Sequence, residues 1–142
     1  MFRGLSLLLL TLLAGCSRKV AAPPGSHESQ LETMLHNVVL TGQATANGKL
    51  LTEDSYVIEK VTKMTGDTWL FHARVGKGPI AVPIPVQVLW AGDTPVISLT
   101  DVGVPGIGSY TARVVFYRDQ YAGTWGSAKV SGHIFGKIKP GP

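Results

Sequence analysis

The chain has 142 residues, of which 15% are charged and 44% hydrophobic, with a formal charge of +4 and one cysteine. Such a composition excludes an intrinsically disordered chain, and the length suits one domain with an adequate core. The Lys and Arg residues are scattered without a dense basic run, which argues against a nucleic-acid partner.

The chain begins Met1-Phe2-Arg3 and continues in an apolar run from Gly4 to Leu13, broken only by Ser6 and Thr11. This run has the length of a signal-peptide core and falls short of the roughly 20 apolar residues needed to cross a bilayer. Small residues Ala14 and Gly15 follow, then Cys16. The order of charge, apolar run, small residues and cysteine resembles the lipobox of bacterial lipoproteins, carried here by Leu13-Ala14-Gly15-Cys16. The resemblance implies that residues 1–15 are a signal peptide cut before Cys16 and that the Cys16 thiol is diacylated. Two acyl chains hold a protein stably at a membrane, whereas one holds it only marginally. The membrane is thus an expected partner through lipid on Cys16, with no thiol left for a disulfide or for catalysis. The expected location is the cell envelope, lipid-anchored and extracytoplasmic. Ser17 is compatible with outer-membrane sorting in that family, where the cell has such a membrane.

Residues 16–30 read as the lipidated cysteine and a flexible linker, because Pro23, Pro24 and Gly25 interrupt a polar stretch with no apolar period. Ser29-Gln30-Leu31-Glu32 has capping-box spacing and Leu31, Met34, Leu35 and Val38 recur at helical intervals. This predicts a short helix at 30–36.

From Val38 the period becomes two. Val38 to Thr41 reads as a strand before a turn at Asn47-Gly48, a strong hairpin signal. The run 51–64 has apolar residues on both faces, which predicts a bend or bulge. Trp69, Phe71, Ala73 and Val75 then alternate with polar neighbours, as do Val82, Ile84, Val86, Val88 and Trp90. Pro83 and Pro85 fall between the latter, so the start of that strand is expected at an edge or outside the sheet. A short strand at Val96–Leu99, an irregular glycine-rich loop at Val102–Ser109, a strand through Tyr110, Ala112, Val114 and Phe116, and a final hairpin complete the chain. Gly132 and Gly136 are four apart on the last strand, a spacing that allows another backbone to approach.

The fold class is therefore all-β: an antiparallel up-and-down meander of about eight strands, as a barrel or a sandwich, with a short N-terminal helix. The single β-domain spans 31–139 and residues 140–142 form a tail. Gly123-Thr124-Trp125 is similar to the Gly-x-Trp of lipocalins and avidins, although there it opens the first strand. Tyr121 to Trp125 followed by Gly132-His133 and Phe135-Gly136 resembles short bacterial lipoproteins of no assigned role. No function transfers with either likeness.

Chemistry is sparse. His27, His36, His72 and His133 have no metal-site spacing, although His72 and His133 lie on strands that a sheet can bring together. Most carboxylates sit in turns, where Asp bonds to backbone. Glu59 interrupts an apolar strand, and Arg74 or Arg113 would make it a structural ion pair. No nucleophile elbow, phosphate loop, zinc or dinucleotide motif occurs. No enzyme activity, metal or cofactor is expected. The expected function is a membrane-anchored, non-catalytic binding or scaffold module with an envelope protein as partner. The alternative is a carrier of a small apolar ligand in a barrel mouth. Candidate ligand-lining residues are Trp69, Phe71, Trp90, Tyr110 and Trp125. Small inward residues are few, Ala73 and Ala112 being the clearest, which predicts a filled interior and a partner held at the surface or at a rim formed by 102–109.

Overall fold

The computed structural model describes residues 23–51, 54–76 and 78–142. The signal peptide, Cys16 and the linker up to residue 22 lie outside the described residues. Helix α1 (His27–Met34) precedes nine strands: β1 (Val38–Ala46), β2 (Lys49–Leu50), β3 (Asp54–Lys63), β4 (Thr68–Val75), β5 (Val82–Ala91), β6 (Thr94–Val104), β7 (Gly108–Tyr117), β8 (Gln120–Gly126) and β9 (Ser131–Pro140). Consecutive strands pair antiparallel from β3 to β9, and β1 lies between β3 and β9. The pairing of Val38–Ala44 with Ile134–Pro140 closes eight strands into a barrel. That closure decides for a barrel over a sandwich. The remaining strand, β2, is a two-residue hairpin arm on β1, made by Asn47 and Gly48 at φ 48° and 79°.

Alternation places the core. On β5, Ile84, Val86 and Val88 are buried while Pro83, Pro85 and Gln87 are exposed. On β7, Ala112, Val114 and Phe116 point in. Short turns at 64–67, 92–93 and 118–119 gather at one end of the barrel. The connections around 47–53, 76–81, 105–107 and 127–130 gather at the other, called the open end below.

The helix stops up the first end. It starts one turn before the expected 30–36: Ser26 is the N-cap, with extended backbone and its Oγ accepting from Ser29 N at 3.1 Å. A cap needs only an acceptor for the second or third amide, so Ser26 serves without the Glu that the spacing at Ser29–Glu32 supplies. Leu31 and Leu35 are wholly buried. The His27 ring lies 5.2 Å from that of Trp90, and Lys63 Nζ donates to Glu28 Oε1 at 3.0 Å. Helix and Asn37 together cover the lower half of β3, which has outrun its pairing with β1; Asn37 N donates to Glu59 O at 2.9 Å.

The hydrogen bond from Lys63 holds the Glu28 carboxyl below the ordinary glutamate range. A lowered folded pKa contributes stability above the ordinary value, about 4.3, and loses it as pH falls through the folded one. The pair is partly exposed, so its worth is under ~1 kcal/mol. The thermal midpoints of wild type and Glu28→Gln should differ slightly at pH 6 and converge as pH falls through the lowered folded value. A gap that widens on acidification contradicts this.

Two strands depart from regularity. The expected bend in β3 is a bulge at Glu59, between Ile58↔Ala73 and Lys60↔His72. There Arg74 Nε comes to 4.0 Å from Glu59 Oε1, an ion pair without a hydrogen bond. β6 runs well beyond the expected Val96–Leu99. A bulge at Thr100–Asp101, with Asp101 at φ 52°, carries it on to Val104. The Arg113 guanidinium braces the bulge by donating to Leu99 O and to Thr100 Oγ1, and Asp101 N donates to Thr111 Oγ1 at 3.0 Å. Of the glycine-rich loop expected at 102–109, only 105–107 is left outside strands.

The bulge also turns β6 away from β5. These two strands pair only from Gln87↔Ser98 to Ala91↔Thr94, so residues 82–86 pair with β4 alone. Val88 N donates toward the β4 side, to Asp67 O at 2.8 Å. Amides of opposite parity, including positions 83 and 85, face the unpaired side. The two prolines stand where a missing N–H breaks no ladder bond. The start of β5 is thus a local edge inside a closed barrel.

Candidate functional site

An apolar cavity of about 330 Å³ runs inward from the open end of the barrel. This overturns the expectation of a filled interior. Two reasons are visible. Trp69 and Trp90 are placed near the closed end and do not line the cavity. Positions of inward parity on β8 and β9 include Gly123, Gly132 and Gly136, which put no side chain into the barrel. Ala73 and Ala112, on opposite walls, leave further room.

The wall is built by period-two strands that aim Phe71, Ile97, Val114 and Ile134 inward. Among the described residues no Asp, Glu, Lys, Arg or His lines it. Polar atoms are few and several are committed near the mouth. Trp125 Nε1 reaches over Gly132 to donate to Thr45 O at 3.0 Å, and Tyr110 Oη donates to Ile107 O at 3.5 Å. Such a space solvates neither a charge nor an unpaired polar group well, and its volume lies at the lower end of ligand pockets, ~300–1,000 Å³. The arrangement can hold a small apolar molecule with any polar end at the mouth.

Of the candidate lining residues, Phe71, Tyr110 and Trp125 border the cavity, while Trp69 and Trp90 do not. Trp69 is 1% exposed in the packed floor, and Trp90 is half-buried against His27. Their inward parity identified the face but not the height along the strand. Val104 and Ile107 stand at the rim, within the segment 102–109 expected to form it, and Tyr121 below is a lining residue that the sequence reading missed. Tyr121 was legible as an alternate position of the last hairpin; that Val104 reaches the rim on a strand was not, because its segment reads as loop.

A larger, shallower groove of about 870 Å³ lies outside the barrel near the same end, bordered by Thr45, Thr124, Ser131, His133 and Asp101. Its groups are engaged with one another: His133 N donates to Thr45 Oγ1 at 2.9 Å, and His133 Nδ1 lies 3.4 Å from the same hydroxyl. His72, on β4, is not brought to His133 on β9. Among the described residues no three His, Cys, Asp or Glu side chains gather as a metal site, and no helix is long and apolar enough to cross a membrane.

Comparison of the chain with protein-family models, with curated proteins and with solved structures finds no match. The barrel geometry is compatible with ligand binding or with a scaffold role, and the interior cavity is the feature that bears most directly on the choice.

Proposed function

We propose that this chain is a lipid-anchored, extracytoplasmic binding protein that holds a small apolar ligand in its barrel and catalyses nothing. The observation that carries the ligand reading is the cavity of about 330 Å³ bordered, among the described residues, by no charged side chain. The anchoring rests on the likeness of Leu13-Ala14-Gly15-Cys16 to the lipobox. The barrel encloses its ligand on the walls and floor, so exchange takes place at the mouth.

Uptake of an environment-sensitive apolar fluorophore tests the ligand reading. Saturable binding is expected, and Ala112→Phe should weaken it at least tenfold by filling the cavity. Equal uptake by both proteins would move binding off the barrel interior. Metabolic labelling with a fatty acid tests the anchor: label is expected on the wild type and absent from Cys16→Ser.

A scaffold role is the second reading, and one observation favours it. Leu89, Val96, Val115, Ala122 and Phe135 pair in register on the outer face of five successive strands. Leu89 and Phe135 are both 46% exposed. An envelope protein seated on that strip would bind independently of the cavity, and Phe135→Glu would disrupt it while fluorophore uptake stays intact.

A further inference from the structure

We propose that the apolar ligand of the barrel carries an uncharged hydrogen-bond donor at its outer end, a hydroxyl being the simplest, and is not a carboxylic acid. This rests on the cavity reading and adds to it the chemistry of the end that meets the mouth.

The donors around the mouth are spent. Among the described residues the lining holds four side chains with an N–H or O–H, those of Tyr56, Tyr110, Tyr121 and Trp125. Trp125 Nε1 donates to Thr45 O at 3.0 Å, and the Tyr110 hydroxyl is directed at Ile107 O, 3.5 Å away. Tyr56 and Tyr121 are engaged with other groups. Arg113, on the outer face, directs its guanidinium to Leu99 O, Ala112 O and Thr100 Oγ1. Lys49 and Lys129 stand on connections of the open end and do not border the cavity.

Acceptors are left over. β5 starts at the open end, and its pairing with β6 stops at Gln87↔Ser98, so 82–86 keep an unpaired edge beside the mouth. Continued in register, Pro85 would face Thr100 and Pro83 would face Val102, but the bulge carries β6 away and Val102 pairs with Tyr110. Ile84 and Val86 on one flank and Leu99 and Val104 on the other border the cavity, so the edge runs along it. Val88 N donates to Asp67 O on the β4 side at 2.8 Å. A residue in an antiparallel strand turns its N–H and C=O to the same side, and its neighbour turns them to the other. The carbonyls of Pro83 and Pro85 therefore face the unpaired side. Proline has no N–H, so these two positions present oxygen acceptors and no donor. The Tyr110 oxygen adds lone pairs of its own.

Such a rim selects by what the ligand gives. A carboxylate only accepts, and it needs N–H or O–H groups in place of the water it loses. An ether oxygen has the same need on a smaller scale. A hydroxyl donates to a carbonyl and leaves its own lone pairs to solvent at the mouth. A site that pairs a ligand hydroxyl rejects the analogue without it, because its acceptors then stay unpaired. At a wet rim water fills in, and a few-fold effect remains. At ~30 Å³ for a water-sized group, a cavity of about 330 Å³ takes a chain of roughly ten carbons.

Displacement of a bound apolar fluorophore from the full chain tests the donor. Three competitors are compared near neutral pH: decanol, its isomer nonyl methyl ether, which lacks the O–H, and decanoate, which is ionised there. Decanol is expected to displace the probe at a concentration at least threefold below that of either other compound. Equal displacement by decanol and the ether, or decanoate ahead of decanol, overturns the proposal. Pro85→Val supplies one amide to the unpaired edge at an exposed position, where no ladder bond is lost. It should improve the ether at least twofold relative to decanol. An unchanged ratio also overturns the proposal, because the edge would then not read the ligand. Absence of fluorophore uptake is a different result: it removes the cavity reading and this proposal with it, whereas uptake without discrimination removes this proposal alone.

Discussion

Trp69→Ala should cost ~3–5 kcal/mol, the range for truncating a buried Trp to Ala. Trp69 is 1% exposed, and it shares the distinction of being wholly buried with Leu31, Leu35 and Val88. Helix and strands meet there, and the four side chains form the dense floor below the cavity. A void left in such packing collapses only partly, so the lost contacts add to the lost transfer energy. A denaturant titration checks this: the midpoint should fall sharply with an unchanged slope. Trp125→Ala is the useful contrast. That side chain is half-buried beside an existing cavity, so its loss should cost less, mainly through the unpaired Thr45 carbonyl and reduced contact area. If both variants lost stability equally, the floor would not be the packed region described.

Gly136→Val should weaken closure of the barrel. Gly42 and Gly136 are direct partners in the β1–β9 ladder. A Cβ on Gly136 would lie 2.2 Å from Thr41 O and 2.7 Å from Gly42 Cα, and one on Gly42 would lie 2.0 Å from Phe135 O. All of these neighbours are backbone atoms, so no rotamer change relieves the clash and the strands must part. Overpacking costs ~1–3 kcal/mol and occasionally more; here the upper end is expected, because the displaced element is the seam that joins first and last strands. Hydrogen exchange should accelerate across 38–44 and 134–140 before it does in β4–β5. Unchanged exchange in those segments would mean that the two strands tolerate separation and that closure does not depend on the pair. Gly92→Ala provides a reference: its φ of 67° strains any other residue, but no atom lies within 4 Å of the new Cβ. It should cost only ~1 kcal/mol.

The strands of this barrel were legible because burial on a pleated sheet follows a period of two. β4, β5 and β7 carry unbroken alternation, and Asn47-Gly48 supplied the left-handed pair that a tight hairpin requires. A bend within 51–64 was legible from the apolar residues on both faces, and a partner for Glu59 was legible as Arg74 or Arg113; the structure puts the bulge at Glu59 and the ion pair on Arg74. The glycines of β9 were read as places where another backbone comes close, and Gly132 and Gly136 do approach β1. What they approach was not readable, since strand partners far apart in sequence leave no local signature. Barrel and sandwich therefore stayed equal until the β1–β9 ladder was seen.

The candidate site was legible only by face. Parity sends Trp69, Phe71, Trp90 and Tyr110 toward the inside, yet an empty space depends on the height at which large side chains sit and on which neighbours lack one. Trp69 and Trp90 sit low, and inward positions on β1, β8 and β9 are filled by Gly42, Gly123, Gly132 and Gly136. The upper part of β6 escaped notice because Asp101 at φ 52° interrupts the alternation just where Gly103 suggests a loop. The rim at 102–109 was therefore expected as a loop, and the strand that carries Val104 to it was not. Cys16 belongs to a different kind of reading, since its proposed role rests on the order of the first sixteen residues and not on the barrel.

The half-paired start of β5 has a consequence for self-association. A bare strand edge is a template on which an extended segment of another chain can add, and then another on that one, toward fibrils. Successive ladder bonds require donors on both chains. On the uncovered side of 82–86 the positions that should donate are Pro83 and Pro85, so an incoming strand would find carbonyls without amides and leave its own acceptors unsatisfied. The cost of those orphaned groups rises with each residue added, and growth stops before it begins. A barrel that leaves one strand half-paired is thereby kept from polymerising through the gap.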